Sequence, residues 1–247
     1  MLNSVTITKE DIFQQIKLSC KIPEVVEQIV SRKVIIAAAE EAGITVETEE
    51  LQKAADQLRL ISKLQSADDT WKWLHKHNLS LDEFEEMISN GIISSKLAKH
   101  ILADQVEPYF FQNQINYFGA VIYEVVLNDE DLAMELFYAL NEGEMSFYDV
   151  ACQYIQDKEL RRKGGYRGIV YRKDLKPEIS AAVFAAKPPQ VIKPVVTSQG
   201  VYLILVEEII EPKLDPQLRF QIMSELFDSW IKQKVEETEV VINLPSE

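Results

Sequence analysis

Residues 121–127 read Val-Ile-Tyr-Glu-Val-Val-Leu, and at this stretch the period of the chain changes. The run is β-branched and aromatic, and it is too short and too evenly apolar for a surface helix, so it reads as a strand. Strand alternation then puts Ile122, Glu124 and Val126 on one face. Everything before it reads as helix. Thr8 with Asp11 resembles a capping box opening a helix through Ile12 and Ile16, and Pro23 starts a second helix whose face runs Val25, Val26, Ile29, Val30, Val34, Ile35 to Gly43. Thr48 is the expected cap of a third helix carrying Leu51, Ala54, Ala55, Leu58, Ile61 and Leu64. Ser80 with Glu83 opens a long helical stretch that Pro108 punctuates.

After the strand, Asn128-Asp129 starts a turn. Leu132, Ala133, Leu136, Phe137 and Leu140 mark a helix closed by Gly143, and Phe147, Val150, Ala151 and Tyr154 mark a shorter one. A polar, basic loop leads to Gly164-Gly165 and Gly168. Residues 192–197 and 201–206 read as two strands around the hairpin Ser198-Gln199-Gly200. Past Pro212 and Pro216 the helical period returns with Ile222, Met223, Leu226, Phe227, Trp230, Ile231 and Val235, a broad apolar stripe that demands a partner surface. The expected organisation is α+β: an all-helical module at 1–118, an α/β domain at 119–211, and a terminal helix at 212–247 that packs on the helical module.

Composition excludes several functions. The net charge of −14 argues against sequence-independent nucleic-acid binding and against an anionic membrane surface. The 2 cysteines, Cys20 and Cys152, lie far apart and form no C-x-x-C, so nothing points to a disulfide scaffold or a metal site, and a single structural disulfide is left open. His75 and His77 are two apart and share no helix face, so no metal site is expected, and Trp71, Trp73 and Leu74 read as core or cradle surface. No phosphate loop, nucleophile elbow or dinucleotide fingerprint is present, and no cofactor is implied. Lys9, Glu10, Asp11 and Lys17 interrupt the N-terminal apolar stretch, no apolar run approaches ~18 residues, and a cytoplasmic location without membrane insertion is the expectation.

The segment Gly164-Gly-Tyr-Arg-Gly168, then Leu175-Lys-Pro-Glu-Ile179, Ala182, Phe184, Lys193-Pro-Val-Val-Thr197 and Gly200 resembles parvulin-type peptidyl-prolyl isomerases over about residues 120–211. The flanks, with Gly43-Ile-Thr-Val before the third helix and Trp230-x-x-x-Lys234 before a Val-Ile-x-Leu tail, resemble the helical arms of SurA- and PrsA-type chaperone-isomerases. The resemblance implies a four-stranded antiparallel sheet surrounded by helices. It also implies a groove in which Leu175, Ile179 and Phe184, with Thr197, hold a proline, and Asp157 at the family's central acidic position. Unfolded or proline-containing polypeptides are the implied partners, and homodimerisation is left open.

The departures fall at the polar centre. Two histidines usual in such domains are Glu124 and Tyr202 here, and Tyr166 and Arg167 follow the double glycine. Isomerisation needs no covalent step, so a shaped apolar groove can work without either histidine. Glu124 and Tyr202 are expected to meet as a charge-assisted hydrogen bond replacing the histidine pair. The cations Lys158, Arg161, Arg162, Lys163, Arg167 and Arg172 form a basic loop, read either as solvated or as selecting an acidic residue beside the proline. Three functions stay open: an isomerase and chaperone with a histidine-less centre, a peptide-holding adaptor without turnover, and a structural spacer.

Overall fold

The computed structural model describes residues 5–244. Its contacts divide the chain into two units, Met1–Val106 with Arg219–Glu247, and Glu107–Leu218. No described helix is long and apolar enough to cross a membrane.

The first unit is helical: α1 (Lys9–Leu18), α2 (Ile22–Glu41), α3 (Thr48–Ile61), α4 (Ala67–His77) and α5 (Leu81–Leu102). Capping boxes open α1, α4 and α5 through Thr8–Asp11, Ser66–Asp69 and Ser80–Glu83, each side chain bonding the other's backbone N–H. The expected cap at Thr48 is corrected. Thr48 is already helical, and Glu47 stands at the cap position, its N–H donating to Glu50 Oε2 at 2.9 Å while its carbonyl accepts from the Glu50 N–H at 3.0 Å. The Glu50 carboxylate, in the first turn, takes up the Glu47 N–H and complements the positive helix end. Helix α4 is not anticipated by the sequence reading; its own cap, Ser66, starts it.

Two small cores hold this unit. Leu74, Phe84 and Ile88 are buried among α3 residues Leu51, Ala55 and Leu58. Leu97, Ala98 and Leu102 of α5 pack with Phe227, Met223 and Trp230, so the terminal apolar stripe is covered by α5.

The second unit begins with α6 (Val106–Asn113), which the sequence reading groups with the helical module. Strand β1 (Gly119–Leu127) follows, then α7 (Glu130–Glu142), α8 (Phe147–Tyr154), α9 (Lys158–Arg162), β2 (Tyr166–Tyr171), α10 (Pro177–Val183), β3 (Gln190–Thr197) and β4 (Gly200–Ile210). The chain then enters α11 (Pro216–Glu236). The four strands form one antiparallel sheet in the order β2-β1-β4-β3. The expected basic loop is therefore corrected: its first residues form a helical turn capped by Asp157, and its glycines lead into an edge strand.

Alternation along the strands builds a core on each face. Val125, Leu127, Val201 and Leu203 meet Leu136, Phe147 and Val150 from α7 and α8 on one face. Ala120, Ile122, Tyr202, Ile204 and Val206 meet Ile179 and Val183 from α10 on the other.

Candidate functional site

The sheet face under α10 carries the residues singled out by sequence. Glu124 lies opposite Ile204, and Tyr202 lies opposite Val126, so the two share this face one diagonal step apart. Glu124 is fixed by a close backbone approach: its N–H donates to the Gly165 carbonyl at 2.9 Å. Gly165 has φ +85°, and a Cβ there would stand 2.9 Å from the Glu124 carbonyl oxygen, so glycine is required on both counts.

The Glu124 side chain is only 14% exposed, and Arg167 Nε approaches its Oε1 at 3.9 Å. Burial raises the carboxyl pKa above the ordinary value, with Arg167 opposing. This carboxyl is a poorly solvated group facing one loosely placed cation.

The expected Glu124–Tyr202 hydrogen bond is not formed. Tyr202 Oη donates to Gln199 Oε1 at 3.3 Å instead. The reason is local. Thr197 Oγ1 donates to the Gly200 carbonyl at 3.1 Å and accepts from the Gln199 N–H at 3.1 Å. The hairpin thus presents Gln199 to the phenol, while Glu124 is drawn toward Arg167.

The apolar residues divide by depth. Ile179 is 3% exposed and belongs to the core beneath α10, whereas Leu175 and Phe184 are half-buried at its edge. The Arg172 guanidinium lies over the Phe184 ring, 5.1 Å from its centroid. Asp157 is exposed, and its Oδ1 accepts the Leu160 N–H at 2.7 Å as the cap of α9.

Lys176 was not singled out by sequence reasoning. Its Nζ lies over the Tyr202 ring, 5.7 Å from the centroid, and is buried without a hydrogen-bond partner. Nothing in the string Leu175-Lys-Pro signals this, because the ring that covers the ammonium comes from a distant strand. Gln199 appeared only as a hairpin residue, although its offset of three from Tyr202 across a turn is the available signal. Among the described residues no group of three or more His, Cys, Asp and Glu is placed to hold a metal.

Comparison with known proteins fits this architecture. Residues 128–208 match the family model of the rotamase, a PPIC-type PPIase domain. The foldase protein PrsA of Halalkalibacterium halodurans is 21% identical over 192 residues, covering 74% of this chain and 57% of that protein. The chaperone SurA of Cupriavidus metallidurans is 33% identical over 98 residues, 36% of this chain and 20% of that protein. The chain thus spans just over half the length of the PrsA relative. Among solved structures, a peptidylprolyl isomerase (PrsA) from Bacillus anthracis superposes with a TM-score of 0.53 at 19% identity, covering 89% of this chain and 99% of that one.

Proposed function

We propose that this chain, whose sheet unit is a parvulin-type domain set in a PrsA- and SurA-like helical architecture, isomerises X-Pro bonds in unfolded polypeptides and holds them while doing so. The observation that carries the reading is the half-buried edge formed by Leu175 and Phe184 beside Tyr202, inside the segment that matches the isomerase family.

Rotation about an X-Pro bond is slow because it breaks amide resonance, at ~18–20 kcal/mol. A surface that grips the proline ring but binds the twisted amide better than either planar form lowers that barrier. Leu175 and Phe184 supply the grip. The Tyr202 hydroxyl, held by Gln199, and the poorly solvated Glu124 border the grip on the strand side. Nothing in this chemistry requires the two histidines. Asp157 enters through α9, whose first turn it caps. The helical unit offers exposed Leu60, Ile61 and Trp71 for apolar contact with the rest of a client.

Exchange NMR on a panel of X-Pro peptides tests this with wild type and Leu175→Ala. Acceleration by wild type that drops roughly tenfold in the variant, the equivalent of ~1.4 kcal/mol of lost transition-state contact, supports a working isomerase. Binding without acceleration would make the protein a peptide holder.

A further inference from the structure

Helix α2 is apolar on two sides, and one of them serves the core of its unit, where Ile35 and Ala38 pack with Leu97, Leu102 and Phe227. Val26, Ile29, Val30, Val34 and Ala37, spaced by three and four, form a second stripe on a different side. In water such a stripe demands a partner surface. What lies against it is the segment that follows α11. Glu239-Val-Val-Ile-Asn-Leu244 takes no regular structure, and Val240, Val241 and Ile242 line the same cavity as the α2 stripe. Both belong to the first unit.

The segment is loosely seated. The cavity it shares with α2 has a volume of ≈510 Å³, whereas a closed interior leaves few voids larger than a water molecule. Ile29 stays 45% exposed beside it. Along the segment exposure runs from 42% at Val240 to 82% at Val241 and 54% at Ile242, the alternation of an extended chain laid with one edge inward. The Thr238 N–H donates to the Val235 carbonyl at 3.1 Å and closes the helix. Among the described residues, 239–244 make no backbone hydrogen bond beyond it. Side-chain contact alone holds them, and a segment held so can be exchanged for another of the same chemistry.

We propose that the α2 stripe is a groove for an extended aliphatic segment of another polypeptide, and that residues 239–244 are an intramolecular strap which that segment displaces. This rests on the holding half of the function proposed above and names the kind of segment held. The strap states the chemistry of its competitor. Val240 to Leu244 is an uncharged run of Val, Ile and Leu around one Asn, the kind of strand that an unfolded client exposes and a folded one pairs into a sheet. Because strap and groove share one chain, the strap competes at a high effective concentration, and only a segment that fills the stripe better replaces it.

Fluorescence anisotropy on the full chain, with a labelled peptide copy of residues 239–244 as probe, measures the exchange. One variant, Val240→Ser/Ile242→Ser/Leu244→Ser, weakens the strap. A second adds Ile29→Asp, which spoils the groove at an exposed position. The strap variant is expected to bind the probe roughly tenfold tighter than wild type, the factor for a groove that the strap leaves open about a tenth of the time. Ile29→Asp should abolish the gain. Equal binding by wild type and strap variant overturns the inference, and so does a gain that survives Ile29→Asp. The strap variant should also melt within about 3 °C of wild type, as exposed substitutions do. A much larger drop would make the segment a structural closure and overturn the proposal. Sedimentation that finds wild-type dimers dissociated by Ile29→Asp would assign the groove to a second copy's strap, with the same result. Protection of reduced, denatured lysozyme from aggregation is scored separately. Protection without exchange of the probe overturns the inference and leaves the holding reading standing. Exchange without protection supports the groove and strap and removes the holding reading.

Discussion

The helical unit and the sheet unit are held by different forces. In the sheet unit, strands β1 and β4 are covered on both faces, and Ile122, Val125, Leu203, Ile204 and Val206 are all essentially inaccessible. In the helical unit α1 and α3 bury no residue fully, and the two cores are a few side chains each. What defines its helices instead is local chemistry at their ends, with reciprocal caps on α1, α4 and α5 and a one-way carboxylate bond at the start of α3. Dense packing fixes atoms to within fractions of an ångström and resists deformation, whereas caps fix where a helix starts but not how it sits on its neighbours. A twisted-amide site requires the first property. A surface that holds chains of varied sequence benefits from the second.

Truncating one buried side chain in each unit breaks or sharpens this contrast most. Ile204→Ala removes a side chain enclosed on the central strand, with no space for its neighbours to enter, and should cost about 4 kcal/mol. Leu74→Ala removes an equally inaccessible side chain, but Leu74 borders a cavity of ≈550 Å³ lined by Leu51, Trp71 and Phe84. Its loosely held neighbours can collapse, and the cost should sit near ~2 kcal/mol. Native-state hydrogen exchange reads each unit through its own amides. Equal losses would mean that the helical unit is packed as tightly as the sheet.

The caps give a second, smaller contrast. Ser66 on α4 and Ser146 on α8 make nearly the same box, with Oγ–Oδ2 distances of 2.7 and 2.6 Å to Asp69 and Asp149. Each serine-to-alanine change should cost its helix about 1 kcal/mol. Helix α4 buries only Leu74, so Ser66→Ala should speed exchange along its whole length. Helix α8 is pinned by Phe147, Val150 and Ala151, and Ser146→Ala should loosen only its first turn. Whole-helix opening in both variants would show that burial does not discriminate between them.

The same physics explains what the sequence disclosed. Strand β1 was legible because most of its residues are covered by packing on one face or the other and its apolar run is broken only by Glu124. The β3–β4 hairpin was legible from its turn residues. Strand β2 was not, since it is an edge strand with Tyr166, Ile169 and Tyr171 exposed, so no burial pattern disciplines its residues. Helix α9 is a single charged turn without an apolar period, and only the Asp157 cap announces it. At the site, alternation was enough to place Glu124 and Tyr202 on one face. It was not enough to pair them, because the choice of Gln199 by the phenol depends on how Thr197 locks the hairpin. The burial of Lys176 is likewise tertiary, made by a ring from β4.

Acid titration carries the contrast down to single carboxyls. Asp69 and Glu83, both exposed caps, have lowered pKa values because the N–H and hydroxyl groups of Ser66 and Ser80 favour the charged form. Their contribution is present above the ordinary carboxylate range and is lost as pH falls through the lowered values. Glu124 runs the other way. Burial raises its pKa, so the folded state binds the proton more tightly than the unfolded chain does. Its contribution is intact below the ordinary value of 4.5 and is lost as pH rises through the raised one. Glu124→Gln carries no titrating group there and escapes that loss. The variant should therefore match wild type near pH 4 and exceed it slightly at pH 7, by an amount that Arg167, at 3.9 Å and half exposed, keeps small. Chemical denaturation of both proteins at the two pH values reads the difference directly. A difference that does not change with pH would show that the Glu124 carboxyl is as well solvated as the helix caps.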